Sequence, residues 1–206
     1  MDPIVYVVDD DHSVRQSLVS LLTAEDYQVA DFPSAQAFLA HPFSPAPGCL
    51  ILDMNMPEAN GFDVTDTLRR LGHLIPTIFL TGYGTIPLSV KAMKAGACEF
   101  MTKPAVPRLL LAAVSEALKL AQENLCASQE LQTLTARYES LTPREREVLQ
   151  LAIGGLLNKQ IATAMGVSEI TAKVHKRRVM EKMAARSLTD LVRAAGRLNI
   201  VQTQGR

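Results

Sequence analysis

The chain is short of the features that mark secreted, membrane-spanning or disordered proteins. Only 5% of its 206 residues are aromatic, and its three cysteines, Cys49, Cys98 and Cys126, are odd in number and isolated from one another. No C-x-x-C pair occurs, so neither a disulfide framework nor a zinc site is expected. No run approaches the ~20 apolar residues that span a bilayer. The opening Met1-Asp2-Pro3-Ile4-Val5-Tyr6 lacks a basic stretch leading into an apolar one. The expectation is a cytoplasmic protein with no membrane partner. Internal repeats and low-complexity tracts are absent. Net charge is absent too: 21 Lys+Arg balance 21 Asp+Glu, which excludes a uniformly basic coat for nucleic acid and an acidic disordered tail.

What is present is a core-forming composition, 48% hydrophobic, in a length that suits one large domain or two small ones at roughly 100–200 residues each. The charge balance hides a split. Residues 1–140 carry 9 Lys+Arg against 16 Asp+Glu, a net of −7, whereas residues 141–206 carry 12 against 5, a net of +7. An acidic body joined to a basic piece points to nucleic acid.

Through the first hundred residues, short apolar runs alternate with helical patterns. Ile4 to Val8, Gln28 to Asp31, Cys49 to Leu52, Thr77 to Leu80 and Glu99 to Thr102 read as strands, with helices near 12–25, 34–40, 62–71 and 86–95. The runs are nearly continuous in Val, Ile and Leu, as strands buried on both faces of a parallel sheet are. Five such units predict an α/β, doubly wound, five-stranded parallel sheet. From Pro107 to about Glu139 there is no Gly and no further Pro. That stretch predicts the sheet's last covering helix and then a helical linker, a flexible tether being the alternative for Gln122 to Tyr138. At Leu141 a second unit opens. Thr142 and Glu145 have the spacing of a capping box, and Pro143 suits the first helical position. Helices follow near 143–152, 158–165, 169–184 and 187–198.

Ligands of doubly wound sheets bind outside the carboxyl ends of the strands. Asp9 and Asp10 follow the first strand, Asp53 the third, Thr81 the fourth and Lys103 the fifth. Each alone has a plainer role: Asp9-Asp10-Asp11 can cap the next helix, Asp53 and Thr81 can be turn residues, and Lys103 a solvated lysine. Together, three carboxylates near one point repel unless a cation lies among them. The group supplies Lys103 and leaves room for magnesium, with Asp10 and Asp53 as side-chain ligands and Asp9 helping through water. Asp53 can then attack phosphorus to form an aspartyl phosphate, which asks the protein mainly for positioning and charge neutralisation.

The motifs Val7-Val8-Asp9-Asp10-Asp11, Leu52-Asp53-Met54-Asn55-Met56-Pro57, Leu80-Thr81-Gly82 and Gly96-Ala97 through Phe100 to Lys103-Pro104 closely resemble the receiver domain of two-component response regulators, over about residues 3–122. Leu80 to Gly84 with Val90 to Ala97 resembles the FixJ branch. The resemblance implies a flavodoxin-like sheet of order 2-1-3-4-5, and Asp53 as acceptor of a phosphoryl group from a sensor histidine kinase. It also implies Mg2+ (or Mn2+) held by Asp9, Asp10, Asp53 and the Asn55 backbone carbonyl, Thr81 and Lys103 engaging the phosphoryl group, and Phe100 as a switch aromatic coupled to Thr81. Where many relatives carry an aromatic after the Lys-Pro pair, this chain has Ala105-Val106-Pro107, a departure that bears on packing of the last helix. A phosphatase on the same sheet would want a second carboxylate as general acid, and position 55 is Asn. A receiver serving only as a docking module would lack Asp53, Thr81 or Lys103, and all three are present.

In the basic unit, residues 158–184 have helix-turn-helix spacing, with Gly166 at the turn and Ser168 as N-cap of the second helix. Ala172, Val179 and Met183 form a stripe for the core. Lys173, Val174 and Arg177 fall on another face, with Lys176 and Arg178 flanking, suited to phosphates, guanine edges and a thymine methyl. A merely solvated basic helix is the alternative. His175 reads as a packed or phosphate-bonding residue. Leu141 to Leu149, Asn158 to Ala162 and Lys173-Val174-His175 resemble the LuxR-type helix-turn-helix domain over about 138–200. That resemblance implies DNA contacts at Lys173, Val174, Arg177, His175, Lys176 and Lys159, with the last helix dimerising on DNA. The expected organisation is a receiver at 1–122, a helical linker at 123–138 and the DNA-binding domain at 139–206, in a FixJ/NarL-type regulator. Such a regulator dimerises on phosphorylation, binds promoter DNA and works with RNA polymerase, without being a turnover enzyme.

Overall fold

A computed structural model describes residues 2–57 and 59–201. The chain divides between Cys126 and Ala127 into two compact units. In the first, β1 (Ile4–Val8), β2 (Gln28–Phe32), β3 (Gly48–Asp53), β6 (Thr77–Thr81) and β7 (Glu99–Thr102) form one parallel sheet of order β2-β1-β3-β6-β7. Counting those five strands in chain order, this is the expected 2-1-3-4-5. The strand order switches between β1 and β3, so their adjacent carboxyl ends deliver Asp9 and Asp53 next to one another.

Both faces of the sheet are covered, which is why its strands read as unbroken apolar runs. Val5, Val7, Cys49, Ile51, Ile78 and Leu80 face one side and pack with Leu18 and Leu22 of α1 (His12–Ala24) and Leu110 and Val114 of α5 (Pro107–Glu139). Tyr6, Val8, Leu50, Leu52 and Phe79 face the other and meet Phe38 of α2 (Ala35–Leu39), Val64 and Leu68 of α3 (Gly61–Arg70), and Ala92 of α4 (Ile86–Lys94). At the Ala105-Val106-Pro107 departure, Ala105 packs against the first of these cores, Val106 is exposed, and α5 starts at Pro107. The sequence reading missed a two-stranded hairpin directly after Asp53, in which β4 (Asn55–Met56) pairs antiparallel with β5 (Ala59–Asn60).

α5 is a single helix, as its freedom from interior Gly and Pro requires. Leu134 and Tyr138, in the stretch read as linker, belong to the core of the second unit. That unit holds α6 (Pro143–Ile153), α7 (Asn158–Met165), α8 (Glu169–Lys182) and α9 (Leu188–Arg197). The capping box forms: Thr142 Oγ1 accepts from Glu145 N at 3.3 Å, and Thr142 N donates to Glu145 Oε2 at 2.9 Å. Gly166 ends α7 at φ 66°, a left-handed conformation that glycine adopts without strain. Ala172, Val179 and Met183 bury against Val148, Leu149, Ile161 and Leu191, as the stripe predicts. All three cysteines are free, and burial pushes the Cys49 thiol up to about 12. No helix among the described residues is long and apolar enough to cross a membrane.

Candidate functional site

The Asp9-Asp10-Asp11 triplet divides its labour. Asp11 is the N-cap of α1, accepting from Ser13 N at 2.8 Å and Val14 N at 3.2 Å, which holds its carboxyl below the usual range. Capping therefore consumes one carboxylate and leaves two. Asp9 is buried and Asp10 exposed, and together with buried Asp53 they place one oxygen each within 4.8 Å of one another. Between them stands Lys103, whose Nζ lies 2.6 Å from Asp9 Oδ2 and 2.9 Å from Asp53 Oδ2. Asp9 Oδ2 is enclosed, and apart from that ion pair it has no hydrogen-bond partner among the described residues. Burial pushes the Asp9 carboxyl up against the pull of Lys103. For Lys103, burial works to lower the pKa, but the Asp9 and Asp53 carboxylates prevail and raise it. A hard, all-oxygen donor set with an unsatisfied buried oxygen fits a divalent cation such as Mg2+.

Thr81, fully buried at the end of β6, accepts at Oγ1 from Asn55 Nδ2 at 3.3 Å and from Tyr83 N at 3.1 Å. Its own hydroxyl proton has no acceptor among the described residues, and remains available for donation. Asn55 also donates its backbone N–H to Asp53 Oδ1 at 3.3 Å, so the missed hairpin ties Asp53 to Thr81. Lys103 N donates to Thr81 O at 2.7 Å, fixing the lysine beside β6. Phe100 is half-buried in β7 opposite Phe79. The loop after Thr81 passes close to it: a Cβ on Gly84 would collide with the Thr102 side chain and lie 3.7 Å from the Phe100 ring.

One residue at this site escaped the sequence reading. Arg15, buried on α1, donates from Nη1 to the Asp9 backbone carbonyl at 2.8 Å and from Nε to Asp31 Oδ2 at 3.0 Å. Its guanidinium ties the acidic loop to the end of β2. An arginine one turn after an Asp triplet is a signal, but its distant partner Asp31 is not written in local spacing.

In the second unit, Lys173, Val174, Arg177 and Arg178 are exposed on α8, and Lys159 is exposed on α7. Lys176 and His175 are half-buried at the margin of that face, and His175 Nδ1 is enclosed without a hydrogen-bond partner among the described residues. Arg177 Nε pairs with Glu181 Oε1 at 3.1 Å in solvent. Buried Glu145 anchors α8 from behind: Lys182 Nζ lies 2.6 Å from its Oε2, and that contact, with the capping bonds, lowers the Glu145 pKa.

Residues 5–115 match the family described as the response regulator receiver domain, and residues 139–195 that of bacterial regulatory proteins of the luxR family. Response regulator protein TmoT of Ectopseudomonas mendocina is 46% identical over 96% of this chain and 90% of its own length. Transcriptional regulatory protein FixJ of Rhizobium meliloti is 40% identical over 94% and 95%. The solved structure of response regulator StyR is similar at a TM-score of 0.84 and 44% identity, covering 95% of this chain and 99% of that one. The chain belongs to the response regulators. A receiver joined to a LuxR-type unit makes the regulator a two-component transcriptional response regulator, a DNA-binding protein that answers to a kinase, and not a metabolic enzyme. Its strand-end carboxylates lie in the receiver, and its exposed cationic helix in the LuxR-type unit.

Proposed function

We propose that Asp53 of this regulator takes a phosphoryl group from a sensor histidine kinase and that the modified receiver pairs with a second copy, placing two LuxR-type units on promoter DNA. The observation that carries the reading is the Lys103 ammonium held between the Asp9 and Asp53 carboxylates at 2.6 and 2.9 Å. An Asp53 oxygen attacks phosphorus while the bond from phosphorus to the kinase histidine nitrogen breaks, leaving an acyl phosphate and a neutral histidine. Lys103 pairs with the phosphoryl oxygens. Thr81 donates its free hydroxyl proton to them, giving up its bond with the Asn55 side chain. Asp9, Asp10, Asp53 and the Asn55 carbonyl would hold Mg2+ (or Mn2+), which when bound neutralises phosphoryl charge. Self-dephosphorylation by water returns Asp53 to its carboxylate, so the protein resets without being a turnover enzyme.

Movement of Thr81 shifts the Gly82–Gly84 loop over Phe100, and the apolar face with exposed Tyr83, Ile86, Val90 and Met93 is thereby remodelled for pairing. On DNA, α8 enters the major groove with Val174 toward the base edges, while Lys173, Arg177, Lys159, His175 and Lys176 meet the phosphate backbone. A two-fold pair matches a two-fold operator, and RNA polymerase is recruited beside it, in the cytoplasm. The domain limits that follow this reading are 1–122, 123–138 and 139–206. Intact mass after incubation with Mg2+ and a small phosphodonor tests the chemistry: the natural chain should gain one phosphoryl group and Asp53→Asn none. No adduct on folded natural protein would overturn it.

A further inference from the structure

The exposed face of α8 is not uniformly basic. Ile170, the second residue of the helix, is 78% exposed, and Val174, one turn on, is 42% exposed. Their spacing of four puts both on one stripe, opposite Ala172, Val179 and Met183, which fill the core. The stripe continues through Arg177 and Arg178, with Lys173 beside it, all exposed. Ile170 is absent from the core cluster. It caps nothing either, because Ser168 Oγ accepts the Thr171 N–H at 3.1 Å. A β-branched residue is also a weaker helix former than Ala or Lys, so neither packing nor propensity accounts for an isoleucine at the tip of a cationic helix.

We propose that Ile170 joins Val174 in reading thymine, each closing on the C5-methyl group of a T·A pair in the major groove while Lys173, Arg177 and Arg178 hold the phosphates. These contacts rest on the DNA-binding reading of α8 and give it a base preference. The chemistry of base edges singles out thymine. Guanine, cytosine and adenine present donors and acceptors in the major groove, and thymine alone adds a methyl. An aliphatic side chain has no hydrogen bond to offer, so against the other bases it strips water from polar groups without replacement. The first residues of a recognition helix are also those that approach base edges. Four residues of helix advance about 6 Å and one base pair about 3.4 Å, so the two side chains address base pairs about two steps apart.

The full chain, incubated with Mg2+ and a phosphodonor, is used to select duplexes from a random-sequence library at fixed salt. The selected duplex is then remade with deoxyuridine at each thymine in turn, which removes the methyl and nothing else. Two positions about two base pairs apart in each half-site should each weaken binding by about four-fold when the methyl is lost, the effect of one buried methylene-sized group. Ile170→Ala should lose that sensitivity at one position and Val174→Ala at the other, with thermal unfolding unchanged for Ile170→Ala. Identical deoxyuridine profiles for the natural chain and both variants, or no sensitive thymine, would overturn the proposal. A natural chain that enriches no sequence at all would instead strike the DNA-binding reading beneath it, so the two failures are distinguishable.

Discussion

The two units treat charge in opposite ways. In the receiver, buried Asp9 and Asp53 close around a Lys103 side chain that is itself largely enclosed, and backbone N–H groups and Arg15 hold the surrounding loops. In the LuxR-type unit, Lys173, Arg177 and Arg178 stand in water, and among the described residues Arg177 pairs only with Glu181, one turn away on the same exposed face. Buried charges are costly unless paired, and pairing fixes their positions, which phosphoryl transfer needs. Exposed cations cost little, contribute little to stability, and act when phosphates arrive and counterions leave. Under the proposed function, the same residue types serve chemistry in one unit and association in the other, according to burial.

The largest consequence concerns the enclosed cation. Lys103→Met should leave two buried carboxylates without their counter-charge and destabilise the receiver by roughly 2–4 kcal/mol in urea unfolding, with Mg2+ restoring part of the loss. Unchanged stability would show that the lysine is as idle as a surface one. Next comes Glu145, the second unit's buried carboxylate. Glu145→Ala removes a capping bond and a charge-assisted bond to Lys182, and should cost roughly 2–3 kcal/mol, confined to the LuxR-type unit. Because folding lowers the Glu145 pKa, its contribution is full above the ordinary value of 4.5 and disappears as pH falls through the lower folded value. Acid titration of the variant should lack that component. The smallest effect on folding belongs to the exposed cations. Lys173→Ala and Arg177→Ala should shift stability by less than about 0.5 kcal/mol, yet each should weaken DNA binding about ten-fold and reduce the salt slope by about one. A large stability loss there would erase the contrast between the units.

Much of this was legible in the chain itself. Apolar runs with side chains needed on both faces announced the parallel sheet, and the strand-end residues announced the acidic group, because a doubly wound sheet converts sequence position into place. The Asp triplet was legible as a set, with Asp9 and Asp10 already set apart as candidate ligands, but which of the three caps α1 was not, until the helix's first N–H groups choose Asp11. Two contributors were hidden for different reasons. β4 and β5 are two residues each, too short for periodicity to register, although they connect Asp53 to Thr81 through Asn55. Arg15 works through Asp31, sixteen residues away, a pairing set by the register of β1 on β2. Absence of Gly and Pro foretold the length of α5, but helical propensity does not say which core takes Leu134 and Tyr138.

The claim joining the two units is that charge placed at Asp53 changes how α8 meets DNA. A titration of the selected duplex with the full chain, with and without Mg2+ and beryllium fluoride as phosphoryl mimic, measures that coupling directly. Binding should tighten about ten-fold or more in the mimic state, within the usual range for coupled sites, and Asp53→Asn should not respond. Equal affinity in both states, with the mimic bound and the chain folded, would contradict it.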